Sequence, residues 1–239
     1  MPPWGSDVKA WMVSLYPYLF LTSLVVSLTI VCVLLHRRRV PGKIIFYSVF
    51  LNSVCILCGA KLYTMLASGL QVDFWRAGPS SLGGAVGLLL GIFLFGRIYD
   101  REASLFWEVY IMVLPLMYGI SKLGCFFAGC CHGIPYDGPL AVSYDNQVLQ
   151  GGPFFPVQLA ESICFLFIFL IGIYLHHRRN RLVCPAVILL CATAKFSLEY
   201  LRQEHAGVVL SVNQAVCLCF FCWAVWKSGL SFRSKKEGK

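Results

Sequence analysis

The chain alternates long apolar runs with short polar junctions, so its hydropathy changes by segment rather than residue by residue. A helix of about twenty apolar residues, rising 1.5 Å per residue, crosses a hydrocarbon core of roughly 30 Å. Because the runs are continuous and not alternating, they predict helices and not the strands of a closed barrel. Seven spans are expected, at about 11–35, 44–67, 82–95, 103–123, 155–175, 182–201 and 208–225. The third is short and carries Gly83, Gly84, Gly87 and Gly91. Between the fourth and fifth lies a stretch rich in glycine, cysteine and proline, from about Gly124 to Pro153. Irregular backbone near membrane depth is tolerated only where protein buries it or it lines a cavity, so this loop is expected to be re-entrant. The expected fold class is all-α: a polytopic membrane protein with seven transmembrane helices, forming a single membrane domain over residues 1–239.

Charge orients the spans. His36-Arg37-Arg38-Arg39 follow the first run, Arg97 and Arg101 follow the third, His176 to Arg181 follow the fifth, and Lys227 to Lys239 form a basic tail. Every second junction is basic, which places those junctions on the cytoplasmic side and gives an N-out, C-in topology. The first run has its charges behind it and not in front, so it is expected to be a retained helix and not a cleaved signal.

Composition supports a lipid solvent, since 58% of residues are hydrophobic and 13% charged, against roughly 25% charged in soluble domains. The formal net charge of +9 could suggest nucleic acid, but the basic residues sit beside apolar runs as anchors, and no nucleic-acid partner is expected. Among twelve cysteines, Cys32, Cys55, Cys58, Cys164, Cys191, Cys217, Cys219 and Cys222 fall inside apolar runs, where a thiol acts as a small hydrophobe.

Ionisable groups inside spans are expensive and mark functional sites by default. Here they are Lys61, Glu108, Lys122, Glu161, Lys195 and Glu199. The bland reading is that the lysines snorkel and that Glu108 pairs near the inner interface with Arg101. Lys195 and Glu199 share a helix face at i, i+4 and can pair. Cations and carboxylates converging on an outward-facing cavity suit an anionic ligand, most simply a phospholipid phosphate.

The segment Gly119 to Gly133 contains Cys125, Cys130, Cys131 and His132 in a Cys-x4-Cys-Cys-His arrangement. Thiolates with an imidazole could hold a soft metal, but a second half-site such as Cys-x-x-Cys is missing, and no metal or other cofactor is expected. A disulfide from Cys125 to Cys130 or Cys131, a thiol nucleophile paired with His132, and inert packing all remain open. His132 is also a candidate base on the ground of its near-neutral pKa, against plain solvent exposure.

Five segments in order resemble the prolipoprotein diacylglyceryl transferase family. Gly59-Ala60-Lys61-Leu62-Tyr63 resembles that family's Gly-Ala/Gly-Arg-Leu/Ile-x-Tyr, and the stretch Trp75 to Gly87 resembles W-D-G-G-M-S-F-H-G-G-L-x-G. Ser121 to Gly133 matches G-R-L-G-N-F-x-N-G-E-x-x-G, Phe155 to Glu161 matches H-P-x-Q-L-Y-E, and Lys195 to Arg202 is similar to R-F-x-x-E-F-x-R. The resemblance implies a multi-pass enzyme of the bacterial cytoplasmic (inner) membrane. Its reaction moves the diacylglyceryl group of phosphatidylglycerol to the cysteine thiol of a prolipoprotein signal peptide, or to a related acceptor. Carried over by position, it implies Lys61, Lys122 and Lys195 as phosphate-facing cations and Glu199 as the group that orients one of them. It implies Gln158 and Glu161 as walls of the pocket, with Tyr63, Gly83, Gly84, Gly124 and Gly129 on the substrate side. The chain departs from the pattern in placing lysine at all three arginine positions, Leu82 at the histidine of the second motif, Phe155 at that of the fourth, and Cys125, Ala128 and Cys130 at the signature Asn, Asn and Glu. Lysine offers a point charge where arginine offers a bidentate fork. A non-catalytic lipid- or anion-binding protein on the same fold is the alternative.

Overall fold

A computed structural model describes residues 6–8, 14–144, 152–178, 180, 182–203 and 209–237, with side chains described from 14 as far as 226. The first residues of the expected first span, Trp11 to Val13, lie outside the described residues, as do Arg179, Arg181, Glu204, His205 and Val208. Seven α-helices are present among the described residues: α1 Tyr16–Arg37, α2 Gly42–Ala67, α3 Ser81–Ile98, α4 Ala103–Ala128, α5 Val157–His177, α6 Val183–Glu199 and α7 Val212–Glu237. Helices α1 to α5 are long and apolar enough to cross a membrane. Helix α6 has 17 residues, and the apolar part of α7 is Val212–Trp226. Among the described residues a pair of three-residue parallel strands, β1 Ser6–Val8 and β2 Val142–Tyr144, accompanies the helices.

Two boundaries differ instructively from expectation. Helix α4 continues through Gly124 to Ala128, so the irregular loop starts five residues later than its composition suggested. Cys125 and Phe126 are buried, and that apolar burial carries the helix past the glycine. Helix α3 reaches Ile98, three residues beyond the last apolar position of the expected span, because Arg97 stacks on Phe93 and stays helical.

The chain divides into two compact units, Val26–Leu114 and Met1–Val25 with Pro115–Lys239. In the first, the glycines of α3 allow contact with α2 at backbone distance. A Cβ added at Gly87 would run into the Cys55 carbonyl, and one at Gly59 would meet the backbone of Gly83 and Gly87. Small residues at such a crossing let two helices gain dispersion contacts in lipid, where no hydrophobic force drives them together. The hydroxyls of Ser48 and Tyr110 share a buried 2.9 Å hydrogen bond that ties α4 to α2. Ser80 caps α3 by accepting from the Gly83 amide at 3.3 Å.

In the second unit α6 packs against α5 and α7. The α4–α5 loop is held by main-chain bonds: Tyr136 N to Pro153 O at 2.9 Å, Phe155 N to Ile134 O at 3.0 Å, and Ile134 N to Leu201 O at 3.0 Å. Beneath it Phe126, Val142, Tyr144 and Phe154 form a buried apolar cluster, flanked by Phe127 and Leu159. Backbone groups that a helix would have satisfied internally are thus paired with neighbouring chain.

Candidate active site

The site grows from four places in the second unit. Helix α4 carries Tyr118 and Lys122 one turn apart, α5 carries Gln158 and Glu161, α6 carries Lys195 and Glu199, and Arg202 follows directly after α6. Spacings of three and four put each pair on one helix face. All seven side chains are buried.

Glu161 is the centre. Its Oε2 lies 2.8 Å from Lys122 Nζ, and its Oε1 lies 2.6 Å from Lys195 Nζ and accepts from the Tyr118 hydroxyl at 3.3 Å. Lys195 reaches onward to Glu199 Oε2 at 2.7 Å. Glu199 also accepts from Arg202 Nη1 at 3.3 Å and from Asn213 Nδ2 of α7 at 2.7 Å. Two carboxylates therefore serve three cations. Charges taken from water this completely persist only when paired and hydrogen-bonded, and here the pairing is continuous from α4 to α7. Lys122 also lies over the Tyr118 ring, 5.1 Å from its centroid.

Gln158 links the network to the loop. Its Nε2 donates to the Cys130 carbonyl at 2.9 Å and to the Tyr144 hydroxyl at 3.2 Å, while its buried Oε1 has no hydrogen-bond partner. A buried amide oxygen left this way is a receptor for a donor that arrives with a ligand or with water. Burial pushes the Tyr144 phenol up to about 12, so it stays a neutral hydrogen-bonding group.

The other expected residues sit as follows. Lys61 points its ammonium at the carbonyls of Phe74, Trp75 and Ala77, at 3.2, 3.3 and 3.4 Å, and lies over the Phe74 ring. Its three donors thus tie the segment after α2 to that helix, within the Val26–Leu114 unit. Tyr63, Gly83 and Gly84 belong to the α2–α3 crossing, where a side chain at Gly83 would meet Tyr63 Cβ and Gly84 rests against Ile56 and Ala60. Gly124 lies against Tyr16 and Leu19 of α1, and Gly129 takes a left-handed turn at φ 68° that ends α4. His132 packs edge-on against Phe154, 4.6 Å between ring centroids, and its carbonyl accepts from the Gln203 amide.

The structure thus brings Lys122, Glu161, Gln158, Lys195 and Glu199 together. It adds Arg202, Tyr118, Asn213 and Tyr144, none of which the sequence singled out. Arg202 was hidden by its position, since an arginine at the end of a span looks like an interfacial anchor. Its spacing of three from Glu199, and its place as the closing arginine of the Lys195 to Arg202 motif, were the available signals.

A sequence model described as prolipoprotein diacylglyceryl transferase matches residues 6–228. A phosphatidylglycerol--prolipoprotein diacylglyceryl transferase of Chlamydia pneumoniae is 29% identical over 171 residues, covering 64% of this chain and 59% of that protein. The one from Chloroherpeton thalassium is 26% identical over 219 residues, 83% of this chain and 81% of its own. Phosphatidylglycerol--prolipoprotein diacylglyceryl transferase 2 of Clostridium perfringens is 25% identical over 145 residues, 57% of this chain and 56% of its own. The matched region therefore spans less than two thirds of the first of these relatives.

Proposed function

Because this chain belongs to the prolipoprotein diacylglyceryl transferase family, we propose that it moves the diacylglyceryl group of phosphatidylglycerol to a cysteine thiol of a prolipoprotein signal peptide, or to a related acceptor. In that reaction the acceptor sulfur attacks the glycerol carbon, the carbon–oxygen bond to phosphate breaks, and glycerol phosphate leaves with the electron pair. The protein must hold and neutralise the leaving phosphate where water is scarce, because preorganised charge acts most strongly in a dry site.

The observation that carries this reading is the buried position of Lys122, whose carboxylate partner Glu161 is shared with Lys195. A cation with half a counter-ion attracts a phosphate more strongly than one with a full partner. In this reading Lys122 and Lys195 face the phosphate, Glu161 and Glu199 fix their ammonium groups, and the free Gln158 Oε1 accepts from a hydroxyl or thiol of a substrate. His132 is a further candidate for moving a proton. The membrane arrangement belongs to the same proposal: one membrane domain with seven spans, N-out and C-in, and a re-entrant loop after α4, in a bacterial inner membrane.

A second reading, lipid binding without chemistry, is favoured by one observation: the donors of Lys61 are already used on backbone carbonyls. The two readings separate in a single assay. Purified protein in detergent is incubated with phosphatidylglycerol and a lipobox-cysteine peptide, and the peptide mass is read. A diacylglyceryl gain that Lys122→Ala abolishes supports the transferase. Lipid retained with its headgroup intact, and no gain on the peptide, supports the binder.

A further inference from the structure

The chain of ion pairs in the site reaches α7, and the group it meets there is uncharged: Asn213 Nδ2 donates to Glu199 Oε1 at 2.7 Å. A reciprocal cap at the start of α7 fixes the backbone that carries this amide. Ser211 directly precedes the helix, and its Oγ accepts from the Gln214 amide at 3.2 Å. Gln214 Oε1 in turn accepts from the Ser211 amide at 3.0 Å. Such a capping box satisfies backbone donors that the first turn of a helix leaves open. Gln214 is buried, and its Nε2 donates to the Phe196 carbonyl of α6 at 3.4 Å. One side chain thus caps α7 and ties it to the helix that carries Lys195 and Glu199. Asn213 lies inside the box, so its place beside α6 is set by contacts other than its own.

What the amide does follows from the distances around Glu199. Oε2 lies 2.7 Å from Lys195 Nζ, and Oε1 takes the Asn213 amide at the same 2.7 Å. Arg202 Nη1 stands 3.3 Å from both oxygens, straddling the carboxylate and favouring neither. Two short contacts on opposite oxygens therefore set the tilt of the carboxylate. Without the amide, Oε1 is free to turn onto Arg202, because a guanidinium and a carboxylate pair best with both oxygens engaged. That rotation takes Oε2 off Lys195. Lys195 would then have Glu161 as its remaining carboxylate and would lean toward it, competing with Lys122, which holds the other oxygen of Glu161 at 2.8 Å. The loss of one neutral donor on α7 is thus felt by both lysines.

We propose that Asn213 is a positioning residue of the transfer reaction, which through Glu199 holds the Lys195 ammonium where the leaving phosphate develops its charge. The proposal rests on the transferase reading above. In the step, the acceptor thiol gives its proton to solvent and its sulfur forms a bond to the glycerol carbon. The bond from that carbon to the phosphate oxygen breaks, and the oxygen keeps the electron pair. The phosphate enters as a diester with one negative charge and leaves as a monoester with a second. An ammonium in the right place therefore acts more strongly on the transition state than on the bound lipid. A small misplacement of such a group costs rate and leaves binding largely intact. Asn213 acts on the reaction only through Glu199 and Lys195.

Three substitutions in the full-length protein in detergent test this, each read as kcat and KM with phosphatidylglycerol and a lipobox-cysteine peptide, beside the melting temperature. Asn213→Leu keeps the size and removes the donor. It is expected to lower kcat about tenfold or more, the weight of a hydrogen bond to a charged group, and to leave KM for phosphatidylglycerol within about threefold of wild type. Its melting temperature should stay near wild type, since the cap and the Gln214 tie remain. Asn213→Asp keeps the shape and puts a carboxylate against Glu199, so it should lower kcat further by like-charge repulsion. Asn213→Gln keeps an amide donor and should recover part of the rate. A role in packing alone predicts another order, with the isosteric Asn213→Asp nearest to wild type. If Asn213→Asp does not fold, the contrast between Asn213→Leu and Asn213→Gln decides. An active wild type whose Asn213→Leu variant keeps its kcat, or loses rate only through KM or only in step with its melting temperature, overturns the positioning role alone. A wild type that transfers nothing to the peptide overturns the transferase reading and the positioning role together.

Discussion

Lys122 of α4 and Lys195 of α6 meet on one carboxylate, Glu161 of α5, at 2.8 and 2.6 Å. Three helices of the second unit are thereby joined at a single buried point. The consequences of cutting the joint differ with the partner removed.

Replacing Glu161 by glutamine leaves two buried ammonium groups with a neutral amide between them. Removing one member of a buried pair costs about 3–5 kcal/mol. The expected result is a marked fall in the thermal unfolding temperature in detergent, together with loss of transfer. A wild-type melting curve for Glu161→Gln would show that the pairing does not support the fold.

Lys122→Met should behave otherwise. Glu161 keeps Lys195, so the remaining chain of charges through Glu199 to Arg202 and Asn213 stays closed. Folding is expected to survive, while transfer from phosphatidylglycerol falls by about a hundredfold, the scale of removing one preorganised charge-stabilising group. Measuring turnover beside thermal stability separates the two effects. If activity persists with Lys122→Met, phosphate is held elsewhere.

Gln158 connects the ion network to the α4–α5 loop. Gln158→Leu strips the Cys130 carbonyl and the Tyr144 hydroxyl of a donor, at a cost of about 1–3 kcal/mol. Tyr144→Phe loses one bond only and should cost less. Limited proteolysis of the loop is the readout: cleavage between Gly129 and Pro156 should accelerate in Gln158→Leu and much less in Tyr144→Phe. Equal cleavage in both variants would mean that the bond to Cys130 contributes nothing.

The α2–α3 crossing gives a prediction remote from the chemistry. A side chain at Gly87 would strike the Cys55 carbonyl, whereas one at Gly42 would meet nothing within 4 Å. Gly87→Val is therefore expected to destabilise the protein by about 1–3 kcal/mol or to separate the helices, and Gly42→Ala to be silent. Melting temperatures of the two variants decide, and a silent Gly87→Val would refute close contact.

Lys61 is expected to act as a clamp on the segment after α2. Lys61→Met should expose the peptide bonds around Trp75 to protease and leave KM for phosphatidylglycerol within about tenfold, or 1.4 kcal/mol, of wild type. A larger rise in KM with an unchanged digest would assign Lys61 to the phosphate instead.

The helices could be read from the chain because their cause is local. A long apolar run leaves helix as the only way to satisfy its own backbone in lipid, whatever its neighbours are. On the same ground Lys195 and Glu199 could be paired in advance, being one turn apart, and Lys122 of α4 and Glu161 of α5 could be nominated by their charge inside apolar runs, whereas Gln158 was reached only through the family resemblance and Tyr118 not at all. The end of α4 could not, because Gly124 to Ala128 is kept helical by burial of Cys125 and Phe126, which depends on what packs there. Only tertiary structure decided that Glu161 stands between Lys122 and Lys195, that Arg202 turns inward to Glu199, and that Lys61 spends its donors on carbonyls. Each is a contact between residues 13 or more apart in sequence, or a side chain with two plausible directions at a helix end. For such contacts polarity names the participants, and the folded chain selects the partners.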